Sequence, residues 1–355
     1  MSDPNLEVIL RLQDSLFEKG LSGAQGKLKA FGGQATAVGQ KAAAAFVGLG
    51  AVVAGSIKSF GDFETAMANV STLVDTNKEN MAQMGQEVLS LARRSPVALG
   101  DIATSLYDIR SAGIDAKDAM STLDSAIKLS VAGLGSTQES TDLLTTALNS
   151  FSDEGLSANQ TADILFKTVK AGKNTVSQLA EAFGATAPIV KSAGVSLADF
   201  SAGTAALTAQ GIPASQAQNS LRAAIVALKK PTTEMSDIFT RLGVSSGPEL
   251  LQMSGSMGEA FIRVKQAAEE MGVPLEKVTG RVEGAVAVMA LATNANKMYQ
   301  TTLNDMTQGA NLLEEAFEKK QKTFTATFQK MINSIQGLAI EIGSTMAPAI
   351  SQLAD

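Results

Sequence analysis

Histidine, cysteine and tryptophan are absent from this 355-residue sequence, and aromatic residues of all kinds make up only 5% of it. The absence of cysteine excludes disulfide bonds and thiolate chemistry. The absence of histidine removes the commonest general base and the commonest metal ligand of proteins. The net charge of −6 is modest and no block of Lys or Arg occurs. Nucleic-acid binding through phosphate contacts, whether sequence-specific or not, is therefore not predicted.

Apolar residues nevertheless make up 45% of the sequence, so small and aliphatic side chains must supply the core. Such a core favours closely packed helices over a β-sandwich rich in Val and aromatic residues. The single strand candidate is Leu6 to Gln13, "LEVILRLQ", where apolar residues partly alternate. The N-terminus, "MSDPNLEVIL", lacks the basic start and apolar stretch of a signal peptide, which indicates synthesis without export. The sequence predicts an all-α fold with one short N-terminal strand.

The sequence contains no complete catalytic motif. Ser125 and Lys128 match the S-x-x-K pattern of serine acylases, but the S-D-N and K-T-G partner motifs are missing. Carboxylate pairs such as Glu269 and Glu270 are adjacent in sequence, whereas paired acids for glycoside hydrolysis must face each other across a cleft. We predict that the chain is not an enzyme and has no metal or cofactor site.

A short phrase of glycine, aliphatic residue and then Ser, Pro or Asp recurs along the chain. Glycine after a helix adopts the left-handed conformation that ends it, and the aliphatic residue packs back on the last turn. The third residue can then cap or open the next helix. The phrase predicts an irregular array of short helices and helical hairpins without a fixed repeat. The glycines predicted to end helices are Gly113, Gly155, Gly194, Gly211, Gly243 and Gly272.

The uncharged stretch "AAAAFVGLGAVVAGSI", Ala42 to Ile57, has two interpretations. As a helix it would span about 24 Å, less than the roughly 30 Å of a bilayer's hydrocarbon core, so burial against other helices is favoured. The alternative is a membrane-active or self-associating segment, because Ala51 and Gly55 form a small-xxx-small pair. The residues assigned to this alternative are Phe46, Leu49, Ala51, Val52, Val53 and Gly55.

Helix-breaking residues become rare after Leu275, and Asn311–Gly343 is predicted to form one long C-terminal helix. The sequence therefore divides into three predicted segments: 1–59 with the strand and a Gly/Ala-rich helical part, 60–274 as a multi-helix core, and 275–355 as a long helical segment. The natural chain is expected to continue beyond residue 355. The apolar face predicted for the long helix comprises Leu313, Phe317, Phe324, Phe328, Ile332 and Ile335.

The stretch "GIPASQAQNSLRAAIVALKKPTTE", from Gly211 to Glu234, resembles a characteristic segment of phage tail tape measure proteins. Three further stretches resemble the same family: "FGDFETAMANVSTL" from Phe60, "EAFGATAPIVKSAGVSLADFSAG" from Glu181, and "VTGRVEGAVAVMAL" from Val278. The residues that match the family motifs are Gly211, Ala217, Leu221, Ile225, Leu228, Pro231, Thr232, Gly280 and Arg281.

The resemblance implies a structural protein of the virion tail lumen, made in the bacterial host cytoplasm. Tape measure proteins set how far the tail tube polymerises and leave ahead of the DNA at infection. The implied partners are further copies of the chain, tail tube and tail tip proteins, and tail assembly chaperones, with transient membrane contact as an additional implication. Two alternatives stay open at this point, a pore-forming helical protein acting through residues 42–57 and, with the weakest support, a cell-wall hydrolase.

Overall fold

The structure is a computed structural model that describes residues 49–74 and 80–354. Within those two ranges it contains 17 α-helices, one short 3-10 turn and no β-strand. The all-α prediction is confirmed. The strand candidate at Leu6 to Gln13 lies outside the described residues.

The helices follow one another with short connections. In chain order they are α1 Leu49–Ser71, α2 Met81–Arg94, α3 Leu99–Ser111, α4 Ala116–Gly133, α5 Thr137–Ser150, α6 Ala158–Ala171, α7 Val176–Lys191, α8 Leu197–Ala209, α9 Ala214–Lys229, α10 Thr233–Leu242, α11 Gly247–Ser254, α12 Met257–Glu270, α13 Leu275–Thr279, α14 Val282–Leu291, α15 Asn296–Gln308, α16 Leu312–Lys320 and α17 Phe324–Ala354.

The described residues form two compact units. The first contains residues 49–74, 80–107 and 324–354, and the second contains residues 108–323. The chain passes from the first unit to the second within α3 and returns after α16. The three segments predicted along the sequence are a different kind of division and remain a prediction.

In the first unit, α17 packs against α1 and α2. The side chain of Asn333 in α17 is buried, and its amide donates to the carbonyl oxygens of Ala92, Ser95 and Val97 at 2.9, 3.1 and 2.6 Å. Ala92 lies in the last turn of α2, and Ser95 and Val97 follow it, where carbonyl groups have no partner within the helix. One buried amide therefore satisfies the backbone at the C-terminus of α2.

The second unit is built on two layers of helices joined by short connections. Helices α4, α6 and α8 pack side by side in one layer, and α5, α7 and α9 do so in the other. Helix α16 lies on α4 and α6, α15 lies on α6 and α8, and α14 packs against α9 and α12. A single apolar cluster, mainly Ala, Leu and Val with a few Phe, runs through this unit. The predicted hairpins are confirmed.

Local capping explains where many of these helices begin. Ser136, Ser157 and Thr175 each accept a hydrogen bond from the third residue of the following helix, and that residue's side chain accepts one from the cap's N–H. These are complete capping boxes, which satisfy two backbone N–H groups reciprocally. At the start of α12, the Ser256 hydroxyl accepts from the Glu259 N–H, but the Glu259 carboxylate lies 3.5 Å from Arg263 Nε.

The six glycines of the recurring phrase all lie just after helices or the 3-10 turn and have φ values between +64° and +94°. An L side chain is strained in this region, whereas glycine is not. Leu134 is the single non-glycine residue with positive φ among those described, at +59°, and it is 64% exposed.

The single helix predicted over Asn311–Gly343 is wrong in its first part. Helix α16 ends at Lys320 and α17 begins at Phe324, so the long C-terminal helix exists but starts later. The reason is packing, because α16 lies on α4 and α6 whereas α17 packs with α1 and α2. The predicted apolar face is divided accordingly: Leu313 and Phe317 are buried, Ile332 and Ile335 are half-buried, and Phe324 and Phe328 are 85% and 49% exposed.

Candidate functional site

Two of the four sequence segments that carry the family resemblance meet at one junction in the second unit. Helix α9, from the segment that begins at Gly211, packs against α14, from the segment that begins at Val278. At the crossing, a Cβ added to Gly284 would lie 3.2 Å from the Ala224 nitrogen and 3.3 Å from the Ala223 carbonyl carbon. The missing side chain at Gly284 allows the two helix backbones to approach this closely.

Thr232, in the Pro-Thr motif, ties this junction together. Its hydroxyl donates to the Val278 carbonyl at 2.9 Å and accepts from the Met235 N–H at 3.1 Å, which caps α10. Gly280, in the Gly-Arg motif, has φ +68°, and a Cβ there would lie 3.2 Å from the Thr232 methyl group. The two motifs, about fifty residues apart in sequence, are therefore in contact.

The remaining motif residues either fill the core beside this junction or lie on its surface. Gly211, with φ +94°, connects α8 to α9, while Pro231 and Arg281 are exposed. The fully buried members are Ala217, Leu221, Ile225 and Leu228. The motif residues thus form a packed joint between helices, without a cavity lined by reactive groups.

Two buried carboxylates were not identified from the sequence. Asp199 in α8 is 7% exposed, and its Oδ2 accepts from the Met257 N–H at 2.7 Å. Tyr299 donates its hydroxyl to Asp199 Oδ1, and the same hydroxyl accepts from the Gly258 N–H at 3.1 Å. With the cap at Ser256, every N–H group of the first turn of α12 is satisfied.

This environment shifts the pKa values of both acidic groups. Burial raises the pKa of Asp199 to about 6, although the hydrogen bonds from Tyr299 and the Met257 N–H favour the ionised form. Burial, together with the nearby Asp199 carboxylate, raises the pKa of Tyr299 above its usual range. Both side chains are buried and both accept from the first N–H groups of α12, so we interpret the pair as a clamp on the start of that helix.

The second buried carboxylate, Asp163 in α6, pairs with Lys167 one turn later at 2.6 Å, and both side chains are at most 10% exposed. Asp163 Oδ1 also accepts from the Leu313 N–H at 2.9 Å, near the start of α16. Lys167 Nζ donates to the Asp305 carbonyl at 2.8 Å, in the last turn of α15. Each charge therefore lies at the helix end that favours its sign.

A sequence signal for these residues exists, although it is weak. Asp163 and Lys167 are four apart within the apolar run "TADILFKTV", and Asp199 lies within "SLADFSAGTAAL". A charge inside a run that is otherwise apolar or small indicates a buried, partnered group. The distant backbone N–H groups that they accept from cannot be read from such a pattern.

An open cleft of about 550 Å³ lies beside Lys167. Lys170, Lys297 and Asp305 are among the residues that line it, so the cleft carries both signs of charge. Among the described residues, no group of three or more His, Cys, Asp or Glu side chains could hold a metal ion. This cleft does not assemble the acid, base or nucleophile of a recognisable reaction.

The residues assigned to the membrane alternative are placed only in part. Leu49, Ala51, Val52, Val53 and Gly55 belong to the start of α1, and Phe46 lies outside the described residues. In the described ranges, no helix combines the length and the apolar character that a membrane span needs.

Comparison with known proteins gives consistent matches. Residues 85–277 match the family model described as phage-related minor tail protein. The chain is 23% identical over 308 residues to a tape measure protein of Pneumococcus phage Dp-1, covering 84% of this chain and 26% of that protein. It is 25% identical over 320 residues to a probable tape measure protein of Clostridium phage phiCD119, covering 87% of this chain and 34% of that protein.

The chain spans only about a quarter to a third of the length of these two relatives. No solved structure matches it.

Proposed function

The chain belongs to the phage-related minor tail protein family, and on that basis we propose that it is part of a tape measure that templates tail tube assembly and is released ahead of the DNA. The family and the two relatives give the chain a structural role in a phage tail. The templating and release steps are the proposal.

The observation that carries the proposal is the agreement between motif and packing. The residues that match tape measure motifs build the α9–α14 joint in the core of the second unit. Residues that build a joint of this kind support a scaffold, because their contacts fix the positions of two helix backbones. A scaffold role without enzyme activity follows from this interpretation.

The proposed partners are further copies of the chain, tail tube and tail tip proteins, and tail assembly chaperones. The proposed location is the lumen of the virion tail, after synthesis in the bacterial cytoplasm. The membrane-active alternative through residues 42–57 gains no support from the described helices.

A deletion series in the phage that encodes the chain tests the proposal, with tails measured by electron microscopy. Deleting residues 108–323 should abolish tails, because the second unit would be lost. In-frame deletions in the part of the full-length protein outside this chain should instead shorten tails in proportion to the residues removed. Normal tails after the first deletion, or unchanged lengths after the second, would contradict the proposal.

A further inference from the structure

Helix α16 is attached to the second unit in a different way from its neighbours. It is a nine-residue helix lying across α4 and α6. Two of its side chains, Leu313 and Phe317, are buried, and the other seven are half-buried or exposed. Leu312 and Ala316 are partly buried against the same core, but four apolar side chains do not by themselves offset the conformational entropy lost by ordering nine residues. Polar contacts therefore add to the apolar ones in holding α16 in place.

The first of these contacts is the buried ion pair of α6. Asp163 accepts from the Leu313 N–H at 2.9 Å while paired with Lys167 at 2.6 Å. Lys167 in turn donates to the Asp305 carbonyl, so the pair holds both sides of the connection between α15 and α16. Removing one member of a buried pair leaves the other charge uncompensated, so a substitution at Asp163 disturbs the contact of Lys167 as well as the contact to Leu313.

The second contact is Lys128 of α4. Its ammonium group lies 2.6 Å from Glu314 Oε2 and 3.0 Å from Asp124 Oδ2. The same group is 6.0 Å from the centre of the Phe317 ring, a cation–π distance. Glu314 is 43% exposed, so this contact is partly screened by water and weaker than the first.

The position of α16 in the chain gives these contacts a consequence. Helix α16 is the last helix of the second unit, and the chain leaves that unit directly after it, between Thr323 and Phe324. Tension applied from the C-terminal side of the second unit would reach α16 before the layered helices beneath it.

We propose that α16 is a releasable strap: it detaches from α4 and α6 as one unit while the layered helices stay folded, and the Asp163–Lys167 pair is its latch. This inference goes beyond the tail role and does not depend on it, because it concerns the order in which the chain opens. Local opening of this kind is expected where few apolar contacts hold an element.

Hydrogen–deuterium exchange on the full chain, read by mass spectrometry, tests the strap. Amides of α16 should exchange at least about tenfold faster than those of α4 and α6. Asp163→Asn should increase the exchange rate of the α16 amides by a further factor of about ten and leave the exchange rate at the start of α12 unchanged. The matched control is Asp199→Asn, which removes the other buried carboxylate that caps a distant helix. It should increase the exchange rate at the start of α12 and not that of α16.

A milder variant covers the case in which Asp163→Asn does not fold. Glu314→Gln weakens only the Lys128 contact. It should increase the exchange rate of the α16 amides about threefold and leave the rates in α4 and α6 unaffected. Exchange of α16 in step with α4 and α6, in the wild type and in each folded variant, would overturn the proposal. Equal acceleration of α16 and α12 by both Asp variants would also overturn it, because the latch would then have no specific target.

Discussion

Asp199 is the residue at which burial and charge oppose each other most directly. Its carboxylate is 7% exposed and is held by a tyrosine hydroxyl and a backbone N–H, with no cation bonded to it among the described residues. The hydrogen bonds favour the ionised form, but burial outweighs them and raises the pKa to about 6. At neutral pH the second unit therefore contains an ionised Asp199, although burial favours the neutral form of this carboxyl group.

This shift predicts that the Asp199 contribution to stability increases on acidification. The folded protein binds this proton more tightly than the unfolded chain, so the contribution is fully present below pH 3.8 and is lost as pH rises through about 6. Between pH 7 and pH 5 the free energy of unfolding of the wild type, minus that of Asp199→Asn, should rise by about 1 kcal/mol. Urea denaturation of both proteins at several pH values measures this difference.

Glu139 provides a control of opposite sign. A hydrogen bond from Ser177, and others from Ser136, lower the pKa of this carboxyl group, so its contribution is present above the unfolded pKa and is lost as pH falls through the folded value. The free energy of unfolding of the wild type, minus that of Glu139→Gln, should therefore fall on acidification below about pH 4.5. Parallel pH trends for Asp199→Asn and Glu139→Gln would contradict the assignment of the Asp199 shift to burial.

At the scale of single helices, the signals that were predictable are local ones. Ser136, Ser157 and Thr175 start helices through contacts within four residues, and glycines with positive φ, such as Gly194 and Gly243, end helices through their own backbone conformation. The break at residues 321–323 was not predictable, because no strong breaker lies there and the packing of α16 on α4 and α6 decides it. The caps formed by Asp163 and Asp199 were not predictable for a similar reason. The N–H groups from which these carboxylates accept belong to helices more than fifty residues away.

Two glycines associated with α7 allow a direct test of how its end is encoded. Gly184 lies inside the helix and Gly194 lies after it with φ +84°, and a Cβ added at either position meets no atom within 4 Å. Gly184→Ala should raise the free energy of unfolding by about 0.5–1 kcal/mol through helix propensity. Gly194→Ala should lower it by about 1–2 kcal/mol because the left-handed conformation is strained for alanine.

Thermal or urea denaturation of the two variants beside the wild type provides the measurement. Since neither new methyl group contacts anything, a difference in sign between the variants isolates backbone conformation from packing. Two changes of the same sign would show that the conformation at Gly194 does not set the end of α7.

At the scale of the whole molecule, the sequence indicated the class of fold and the hairpins but not the two units. The first unit is discontinuous, formed by residues 49–107 and 324–354 where these are described, and no composition change marks its boundary inside α3. The α9–α14 joint is likewise non-local, although the motif residues that build it were named from resemblance. Periodicity and capping specify helices, whereas the grouping of helices depends on contacts between distant residues.

Many short helices joined at glycines also predict how the second unit responds to force. The chain contains no cysteine, so single cysteines introduced at the exposed positions Ser111 and Lys322 give unique attachment points for optical tweezers. Pulling between them should produce several steps, because stability is distributed over hairpins. The first step should lengthen the chain by the difference between two lengths. These are the extended length of the nine residues of α16, roughly 30 Å, and the original length of α16 as a helix.

Asp163→Asn should lower the force of that first step only, whereas Asp199→Asn should leave it unchanged and weaken a later one. This separation follows from the helices that the two carboxylates cap, α16 at the exit of the unit and α12 within it. A single large opening event, in the wild type and both variants, would show that the unit unfolds as one cooperative body. A chain that opens from its C-terminal strap inward can unfold in sequence, which is what the release proposed above would require.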